Sequence, residues 1–459
     1  MESNIVKARS SIIFIIALVT AFASVWLIEK KAAETKINSQ FAKLISPQKN
    51  IKESKAIELP ASRQEAFGAS SDLPPIQMPR VLTTQEMQWA HIAWQYFKKN
   101  TDEKTGMVNS VDQYSATTMW DTASYLLALI SARNIKIITQ KEFDSRLSKI
   151  LLSLERIELF NNSLPNKSYS TTTLAMIDYK NNLTKTGIGW SAIDIGRLLI
   201  PLNLIAWNYP KHTLAARRII SRWNTTHLTN NGQLFGAQMN ESKIQLLQEG
   251  RLGYEQYAAK TFSLIGIDVG QALDYHQYLQ KTKIYDIFVP YDQRDTKNLG
   301  AHNYVLSEPY ILDGLEFGWD YISREFSWRV YRVQEERFRK TGILTAVTED
   351  HIDQPPYFVY NTVFTNGKSW NTLTEKGEDA SALRTLSIKA AFGWHALYRS
   401  KYTNKLIQEI SSLYHPSNGW YSGIYEESNI PNKSINANTN AVILESLAYI
   451  AHGKLLSYQ

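Results

Sequence analysis

Glu249-Gly-Arg-Leu-Gly-Tyr-Glu-Gln-Tyr257 opens the stretch of sequence that decides the fold. The stretch continues through Ser307-Glu-Pro-Tyr310 and Asp313-Gly-Leu-Glu316, and it ends at Thr348-Glu-Asp350. Carboxylates, an arginine, glycines and aromatic residues recur in it where turns pass into helices. Surface acids are usually spread over solvated helix faces, whereas these lie among Gly, Pro, Tyr and Trp. The pattern is typical of side chains that are held in a crevice.

Helical periodicity dominates on both sides of this stretch, from residue 81 onward. Residues 189–207 are strongly apolar, and residues 213–223 form an amphipathic, basic segment. About twelve such segments follow one another, many alternating between an apolar and a more polar member. Inner and outer helices of a ring show this alternation, because only the inner ones are surrounded by protein.

A faint internal repeat accompanies the alternation. A glycine turn with hydrophobic neighbours precedes several of the apolar helices, as in Gly187-Ile-Gly-Trp190 and Gly419-Trp-Tyr421. About six helix pairs joined in this way predict an all-α fold, an (α/α)6 toroid. An open helical solenoid is the alternative, and the irregular repeat lengths disfavour it.

The composition permits one large folded domain in a chain of 459 residues, with 44% apolar and 12% aromatic residues. The chain contains no cysteine, which excludes disulfides, thiolate metal sites and a cysteine nucleophile. Its net charge of +7 agrees with attraction to anionic surfaces or acidic polymers. No nucleic-acid-binding motif is present.

The N-terminus carries a membrane-targeting pattern. Residues 11–28 are uncharged and apolar, with Lys7 and Arg9 before them and Lys30 and Lys31 after them. The run is long enough to span a bilayer, and the preceding positive charges predict that the rest of the chain lies in the periplasm. The alternative is a signal peptide, whose cleavage would release a secreted protein.

We therefore expect three parts in the chain. Residues 1–30 are the predicted transmembrane helix of the inner membrane, residues 31–80 a flexible linker, and residues 81–459 the toroid. The linker prediction depends on its Lys, Ala, Ser, Glu and Pro content and its lack of sustained periodicity.

Candidate catalytic acids lie at the entries to the predicted inner helices. They are Asp121, Glu249, Glu308 and Asp350. Glycoside hydrolysis needs one protonated carboxyl group and one ionised carboxylate. We expect Glu308 to be the acid, in an apolar turn with Pro309, and Asp350 the base, with Glu249 a rival for either role. Capping of helix N-termini is the alternative explanation for such acids.

Candidate substrate-binding residues lie near the same loops. Aromatic rings suit the apolar faces of sugars, and polar side chains suit their hydroxyls. Packing of the ring interior is the alternative for each aromatic residue, and Glu255 could instead pair with Arg251. The predicted set is Trp120, Trp190, Arg251, Tyr254, Glu255, Tyr357, Trp370 and Trp420.

Other chemistries leave no pattern in the sequence. There is no His-Glu-x-x-His motif, and the histidines show no spacing typical of metal ligands. Neither a phosphate-binding glycine loop after a strand nor a Gly-x-Ser-x-Gly motif is present. We predict neither a metal nor a cofactor.

Several motifs resemble those of a bacterial envelope family of unknown function. They are Glu249-Gly-Arg-Leu-Gly-Tyr-Glu-Gln-Tyr-Ala-Ala259, Ser307-Glu-Pro-Tyr310 with Gly314-Leu-Glu316, Gln354-Pro-Pro-Tyr-Phe-Val-Tyr-Asn-Thr-Val363 and Ala390-Ala-Phe-Gly-Trp-His395. The resemblance covers residues 85 to 455. That family occurs alone or beside polysaccharide synthases, and it is similar to glucoamylase-like toroids, some of which act on β-glucans. The resemblance implies a toroid and a polysaccharide substrate.

Two functions follow as expectations. The first is an extracytoplasmic glycoside hydrolase or transglycosylase that acts on a glucan-type polysaccharide. The second is a non-catalytic carbohydrate-binding accessory protein of exopolysaccharide synthesis or export. A pair of carboxyl groups at working distance separates them, because only the first function requires one.

Overall fold

Side-chain caps begin most of the helices. Thr83 accepts a hydrogen bond from the Glu86 N–H, and Glu86 in turn accepts from the Thr83 N–H, which completes a capping box. Thr118 and Ser191 cap two further helices in the same position. We describe residues 69–240, 243–296 and 301–456 of a computed structural model. The predicted transmembrane segment and most of the predicted linker lie outside these ranges.

The described residues contain twelve α-helices, as the periodicity predicts. The last turn of α8 continues as a π-helix over Asp313–Phe317. In chain order the helices are α1 Thr84–Asn100, α2 Met119–Asn134, α3 Gln140–Arg156, α4 Ala192–Asn208, α5 Thr213–Ser221, α6 Tyr254–Leu264, α7 Gly270–Leu273, α8 Glu308–Leu312, α9 Tyr321–Thr341, α10 Ile388–Tyr398, α11 Lys401–Ile410 and α12 Ala437–His452.

The even-numbered helices form a closed inner ring. Each packs on the next, in the order α2, α4, α6, α8, α10 and α12, and α12 packs back on α2. Outer helices pack against them, for example α3 against α5 and α11 against α10. Because inner helices alternate with outer ones along the chain, all six inner helices point the same way. The predicted (α/α)6 ring is therefore confirmed in the described residues.

Short antiparallel strands in the connections add to the predicted all-α architecture. Described residues form eight small sheets, with the strand orders β1-β4, β2-β3, β5-β6-β7, β8-β9, β10-β11-β14, β12-β13, β15-β18-β19 and β16-β17. The strands are β1 Ala116–Thr118, β2 Leu159–Phe160, β3 Leu164–Pro165, β4 Ser168–Ser170, β5 Thr229–Asn230, β6 Gln233–Asn240, β7 Lys243–Gln248, β8 Leu279–Ile284, β9 Ile287–Asp292, β10 Glu349–His351, β11 Phe358–Asn361, β12 Phe364–Thr365, β13 Lys368–Ser369, β14 Thr372–Leu373, β15 Thr385–Ser387, β16 Tyr414–His415, β17 Gly419–Trp420, β18 Gly423–Tyr425 and β19 Pro431–Asn432.

The last residues of the predicted linker are docked on the folded domain. The Arg80 N–H donates to the Ile450 carbonyl at 2.8 Å, and Arg399 donates to the Met78 carbonyl at 2.9 Å. Ile450 and Arg399 lie at the C-terminal ends of the inner helices α12 and α10. Residues 78–80 therefore pass across the end of the ring that is opposite the helix N-termini. No helix in the described ranges is long and apolar enough to cross a membrane.

Close approach of the inner helices depends on glycine. A Cβ atom on Gly196 of α4 would lie 2.6 Å from the Ala258 Cβ of α6, and one on Gly393 of α10 would lie 2.3 Å from Ile311 of α8. Such distances are shorter than real side chains allow. The glycines therefore set how tightly the ring closes around its centre.

We predict that Gly196→Ala destabilises the protein by about 1–3 kcal/mol, because the new methyl group overpacks the contact between α4 and α6. Gly270→Ala is the matched control. A Cβ there meets only Asp268, at 3.5 Å, so this change should be neutral or slightly stabilising. Urea denaturation followed by circular dichroism measures both variants. Equal stability of the two would show that the close contact at Gly196 does not limit the ring.

Candidate active site

The N-termini of the six inner helices meet at one end of the ring, which we call the mouth. Each helix carries a polar side chain in its first turn, and the positive ends of the helix dipoles favour carboxylates there. This explains why acids recur at turn-to-helix boundaries in the sequence. The first-turn residues are Asp121, Asp194, Glu255, Glu308, Lys389 and Asn438.

Lys389 is the centre of the mouth. Its ammonium group forms an ion pair with Glu308 Oε2. Asn438 donates to the other oxygen, Glu308 Oε1, at 2.7 Å. The Glu308 N–H donates to Thr348 Oγ1 at 3.2 Å. Three inner helices, α8, α10 and α12, are thus tied together at their first turns by a single buried carboxylate.

Strand β10 brings two further carboxyl groups to Lys389. Successive side chains of a strand point to opposite faces, so Glu349 and Asp350 make different contacts. Glu349 accepts hydrogen bonds from the Tyr254 and Thr348 hydroxyls. Asp350 accepts from Ser387 Oγ at 3.2 Å and from Thr385 Oγ1 at 3.3 Å.

The pKa values of these groups are shifted by their burial and by the charges of their neighbours. Burial raises the pKa of Glu349, and the charge of Glu308 adds to the effect. Burial likewise raises the pKa of Asp350 to about 8, although Lys389 opposes the shift. Burial lowers the pKa of Lys389, but the carboxylates around it, Glu308 first, outweigh burial and raise it. The mouth therefore holds one ion pair and two carboxyl groups whose pKa values are raised, that of Asp350 to about 8.

The surroundings of Glu308 and Asp350 differ from those expected for an acid and a base, respectively. Asp350 is expected as the ionised base, yet it lies in a buried strand and holds its proton near neutral pH. Glu308 is expected as the acid, yet it is the partner of Lys389. The sequence suggests a polar turn at Asp350, whereas the residue lies in strand β10 with a side chain that is 1% exposed.

Trp120 forms the floor of the mouth. The Arg197 guanidinium lies 4.6 Å from the centre of its ring, and Tyr254 contacts it edge-on at 5.5 Å. Part of Trp120 remains exposed. The expected substrate-binding residues Trp120 and Tyr254 are thus brought together beside Glu349.

Arg197 is held by a fully buried pair of carboxyl groups below Trp120. It contacts Glu316 at 2.9 Å and Glu445 at 3.2 Å. Burial raises the pKa of both carboxyl groups, and the charge of Arg197 opposes the rise. The contacts with Arg197 offset part of the cost of burying these groups.

Asp121 lies in the first turn of α2 at the mouth. Glu249 directly follows strand β7, and its side chain reaches the N-terminus of α4. Glu249 accepts from the Ala192 N–H at 2.5 Å and so caps α4. Burial raises the pKa of nearby Asp194 to about 7, and the charge of Glu249 adds to the effect. Asp121 accepts from the Thr118 hydroxyl at 2.7 Å. The capping explanation therefore holds for Glu249, while Asp194 is a further acid at the mouth.

Glu255 and Arg251 have structural contacts. Glu255 pairs with Arg294 at 2.5 Å, and Arg294 also contacts Asp292 at 2.5 Å. The partner of Glu255 is thus Arg294, which corrects the alternative that pairs it with Arg251. Arg251 donates to the Arg294 carbonyl at 3.1 Å. These residues fix the turn before α6 and thereby hold Tyr254.

Two of the four remaining aromatic candidates are corrected by their burial. Trp190 and Trp420 are 0% exposed, because they fill the space between connections and helices, so neither ring can stack on a sugar. Trp370 is partly exposed and packs on Arg337, with 4.9 Å between guanidinium and ring centre. Tyr357 is exposed.

Sequence reasoning missed Lys389, Asn438 and Asp194. Each stands in the first turn of an apolar inner helix, behind a Ser or Asn cap. That position is the signal that could have found them once the ring was predicted. Among the described residues, no group of three or more His, Asp or Glu side chains could hold a metal ion.

Comparison with known proteins places the chain in a family. A family model described as "Protein of unknown function (DUF3131)" matches residues 88–453. The chain belongs to this family, which the sequence motifs had indicated. No curated protein sequence matches the chain.

Solved structures share the fold. An endo-β-1,2-glucanase from Chitinophaga pinensis is similar, with a TM-score of 0.55, 10% identity and coverage of 81% of this chain and 94% of the other. An endo-β-1,2-glucanase from Talaromyces funiculosus has a TM-score of 0.53, 11% identity and coverage of 81% and 86%. A Bacteroides caccae protein, provisionally described as a glucoamylase, has a TM-score of 0.58 and 12% identity, with coverage of 80% of this chain and 93% of the other. At such identities the likeness concerns the fold alone.

We predict that Lys389→Met destabilises the protein by about 3–5 kcal/mol, because it leaves the Glu308 carboxylate buried without a partner. The double variant Lys389→Met/Glu308→Gln should recover most of this loss, because it removes both charges. Chemical denaturation at neutral pH measures the two. A double variant as unstable as the single one would contradict the ion pair as the source of the loss.

Asp350 should make stability depend on pH. The folded protein binds a proton at Asp350 up to about pH 8, whereas the unfolded chain releases it near pH 4. The contribution of Asp350 to stability therefore falls as pH rises from about 4 to about 8.

We predict that Asp350→Asn lacks this decline, so that from about pH 5 to about pH 9 its stability improves by a few kcal/mol relative to the parent. Urea titrations at the two pH values measure the difference. Parallel pH profiles of parent and variant would mean that Asp350 is ionised in the folded protein.

Proposed function

We propose that the protein is a glycoside hydrolase that acts on a glucan-type polysaccharide at the mouth of the ring. One observation carries the proposal: Glu349 and Glu308 lie together where six helix N-termini meet, since Thr348 accepts from the Glu308 N–H and donates to the Glu349 carboxyl group, while Lys389 pairs with Glu308. Burial and the charge of Glu308 raise the pKa of Glu349, which favours its protonated form. Glycoside hydrolysis requires such a pair. Trp120 and Tyr254 supply aromatic surface beside it.

Glu349 is the proposed proton donor. It is 9% exposed, whereas Glu308 and Asp350 are each 1% exposed, so it is the most accessible of the three carboxyl groups around Lys389. Glu349 gives its proton to the glycosidic oxygen as the bond from that oxygen to the anomeric carbon breaks. The hydroxyl of Tyr254 orients the carboxyl group.

Glu308 is the proposed ionised carboxylate. It either attacks the anomeric carbon or takes the proton of the water that does so. Lys389 and Asn438 hold its charge and its orientation. The negative charge of Glu308 also raises the pKa of Glu349, so one residue prepares the other for its role.

The substrate class is supported by two of the structural relatives, which are endo-β-1,2-glucanases. Linear β-1,2-glucan is therefore the first substrate to test. Transfer of the sugar to another sugar in place of water would make the protein a transglycosylase with the same two carboxyl groups. We further propose action in the periplasm, attachment to the inner membrane through residues 11–28, and a polysaccharide synthase or export machinery as partner.

A second candidate function is a non-catalytic carbohydrate-binding accessory protein. The low exposure of Glu308 favours it, because a buried carboxylate is difficult for a substrate to reach. A carbohydrate-binding protein needs the aromatic floor that Trp120 forms but needs no proton transfer.

We predict that the full-length protein releases shorter products from β-1,2-glucan, and that Glu349→Gln lowers the turnover number about 10²–10⁴-fold because the amide cannot donate the proton. Glu308→Gln should cause a loss as large. Product chromatography on a panel of α- and β-glucans measures turnover, and thermal melts verify folding.

Glu155→Gln is the matched control, because Glu155 pairs with Arg218 on the outer helices, away from the mouth. It should retain full turnover. Normal turnover in Glu349→Gln would remove it as the proton donor. Binding of a glucan without products from the parent would favour the accessory protein.

A further inference from the structure

Tyr360 stands beside the proposed proton donor. In the antiparallel pairing of β10 with β11, Tyr360 is directly opposite Glu349, so the two side chains lie on the same face of the sheet. Tyr304 stacks on the Tyr360 ring with 4.3 Å between ring centres and 14° between ring planes. Both tyrosines are partly exposed. The stack therefore forms a wall of the mouth next to Glu349.

The aromatic wall continues along the same side. Phe358 contacts Tyr360 edge-on at 5.3 Å, and His351 contacts Phe358 at 5.0 Å. All four rings from Tyr304 to His351 keep part of their surface exposed. A row of this length contacts more than one sugar of a polymer, whereas a site for one free sugar needs a single ring.

Tyr179 comes from the opposite side of the ring. It lies in the connection before α4, and Tyr360 lies in the connection before α10; α4 and α10 are three positions apart among the six inner helices. The Tyr114 hydroxyl donates to the Tyr179 carbonyl at 3.2 Å. The Tyr179 side chain is 61% exposed, in the connection that leads to the α4 N-terminus at the mouth.

The electrostatic surroundings of Tyr179 agree with its place in the connection before α4. Burial raises the pKa of Tyr179, and the charges of Asp194, Glu249 and Glu375 add to the effect. Glu375 belongs to the connection before α10, as Tyr360 does. Burial is the main cause that raises the pKa of Tyr360, and Tyr179 adds to the rise. A tyrosine side chain in a wide, concave mouth can have protein on several sides and still be accessible to water.

We propose that Tyr360, supported by Tyr304, and Tyr179 form an aromatic clamp that holds a glucan chain across the mouth, next to Glu349. The ligand is a chain of several glucosyl units. The clamp rests on the proposed function, since its ligand is the polymer that the carboxyl groups would cleave. Tyrosine suits this role because its ring packs on sugar C–H groups while its hydroxyl bonds to sugar hydroxyls.

The clamp is tested by binding in the absence of turnover. The full-length Glu349→Gln variant is titrated calorimetrically with linear β-1,2-gluco-oligosaccharides of increasing length. Tyr360→Ala, Tyr179→Ala and Tyr360→Phe are each added to it. Tyr321→Ala is the control, because Tyr321 is 74% exposed and lies at the start of the outer helix α9, at the opposite end of the ring.

We expect Tyr360→Ala and Tyr179→Ala each to weaken binding of long oligosaccharides about tenfold, or about 1.4 kcal/mol. Short ones should be affected less, because they span only one side of the mouth. Tyr360→Phe keeps its ring and should lose less affinity. Tyr321→Ala should bind like Glu349→Gln alone.

Equal binding by all of these variants would overturn the clamp and leave the proposed function standing. Absence of binding by Glu349→Gln, with turnover also absent in the parent, would contradict the proposed function and overturn the clamp with it. Unchanged melting temperatures verify that a loss of affinity arises from the missing ring.

Discussion

The ion pair of Lys389 with Glu308 is the interaction on which the mouth of the ring depends. A buried ammonium group and a buried carboxylate are each costly alone, and together they are tolerated because each offsets the charge of the other and Asn438 donates to the second oxygen of the carboxylate. The pair joins the first turns of three inner helices. The charge of Glu308 also adds to the rise that burial causes in the pKa of Glu349, so the contact that holds the ring together favours the protonated form of Glu349.

The closed ring makes this possible. Six parallel inner helices direct six N-termini to one end, where their dipoles favour carboxylates. Below that end, Arg197 contacts the carboxyl groups of Glu316 and Glu445, and its guanidinium group packs on the Trp120 ring. Glycines at helix contacts allow the inner helices to come this close. The pairing of buried charges and the close packing of the inner helices therefore occur together along the axis of the ring.

The fold was predictable because it follows from local patterns: alternating helix polarity, caps and glycine turns. The same patterns placed Glu308, Asp121, Trp120 and Tyr254 at the mouth. The role of Lys389 could not be predicted from sequence, because its partner is 81 residues earlier in the chain and only the packing of α8 against α10 brings the two together. The protonation of Asp350 and the burial of Trp190 escaped for a related reason, since both depend on tertiary packing that no sequence window contains.

A crystal structure of the Glu349→Gln variant with a linear β-1,2-gluco-oligosaccharide tests the central claim most directly. The account predicts that the oligosaccharide lies across the mouth. One of its sugar rings packs over Trp120, and one glycosidic oxygen lies within hydrogen-bonding distance of residue 349. It also predicts that the anomeric carbon next to that oxygen faces Glu308 or a water molecule that Glu308 holds. An oligosaccharide bound elsewhere on the ring, or with no glycosidic oxygen near residue 349, would contradict it.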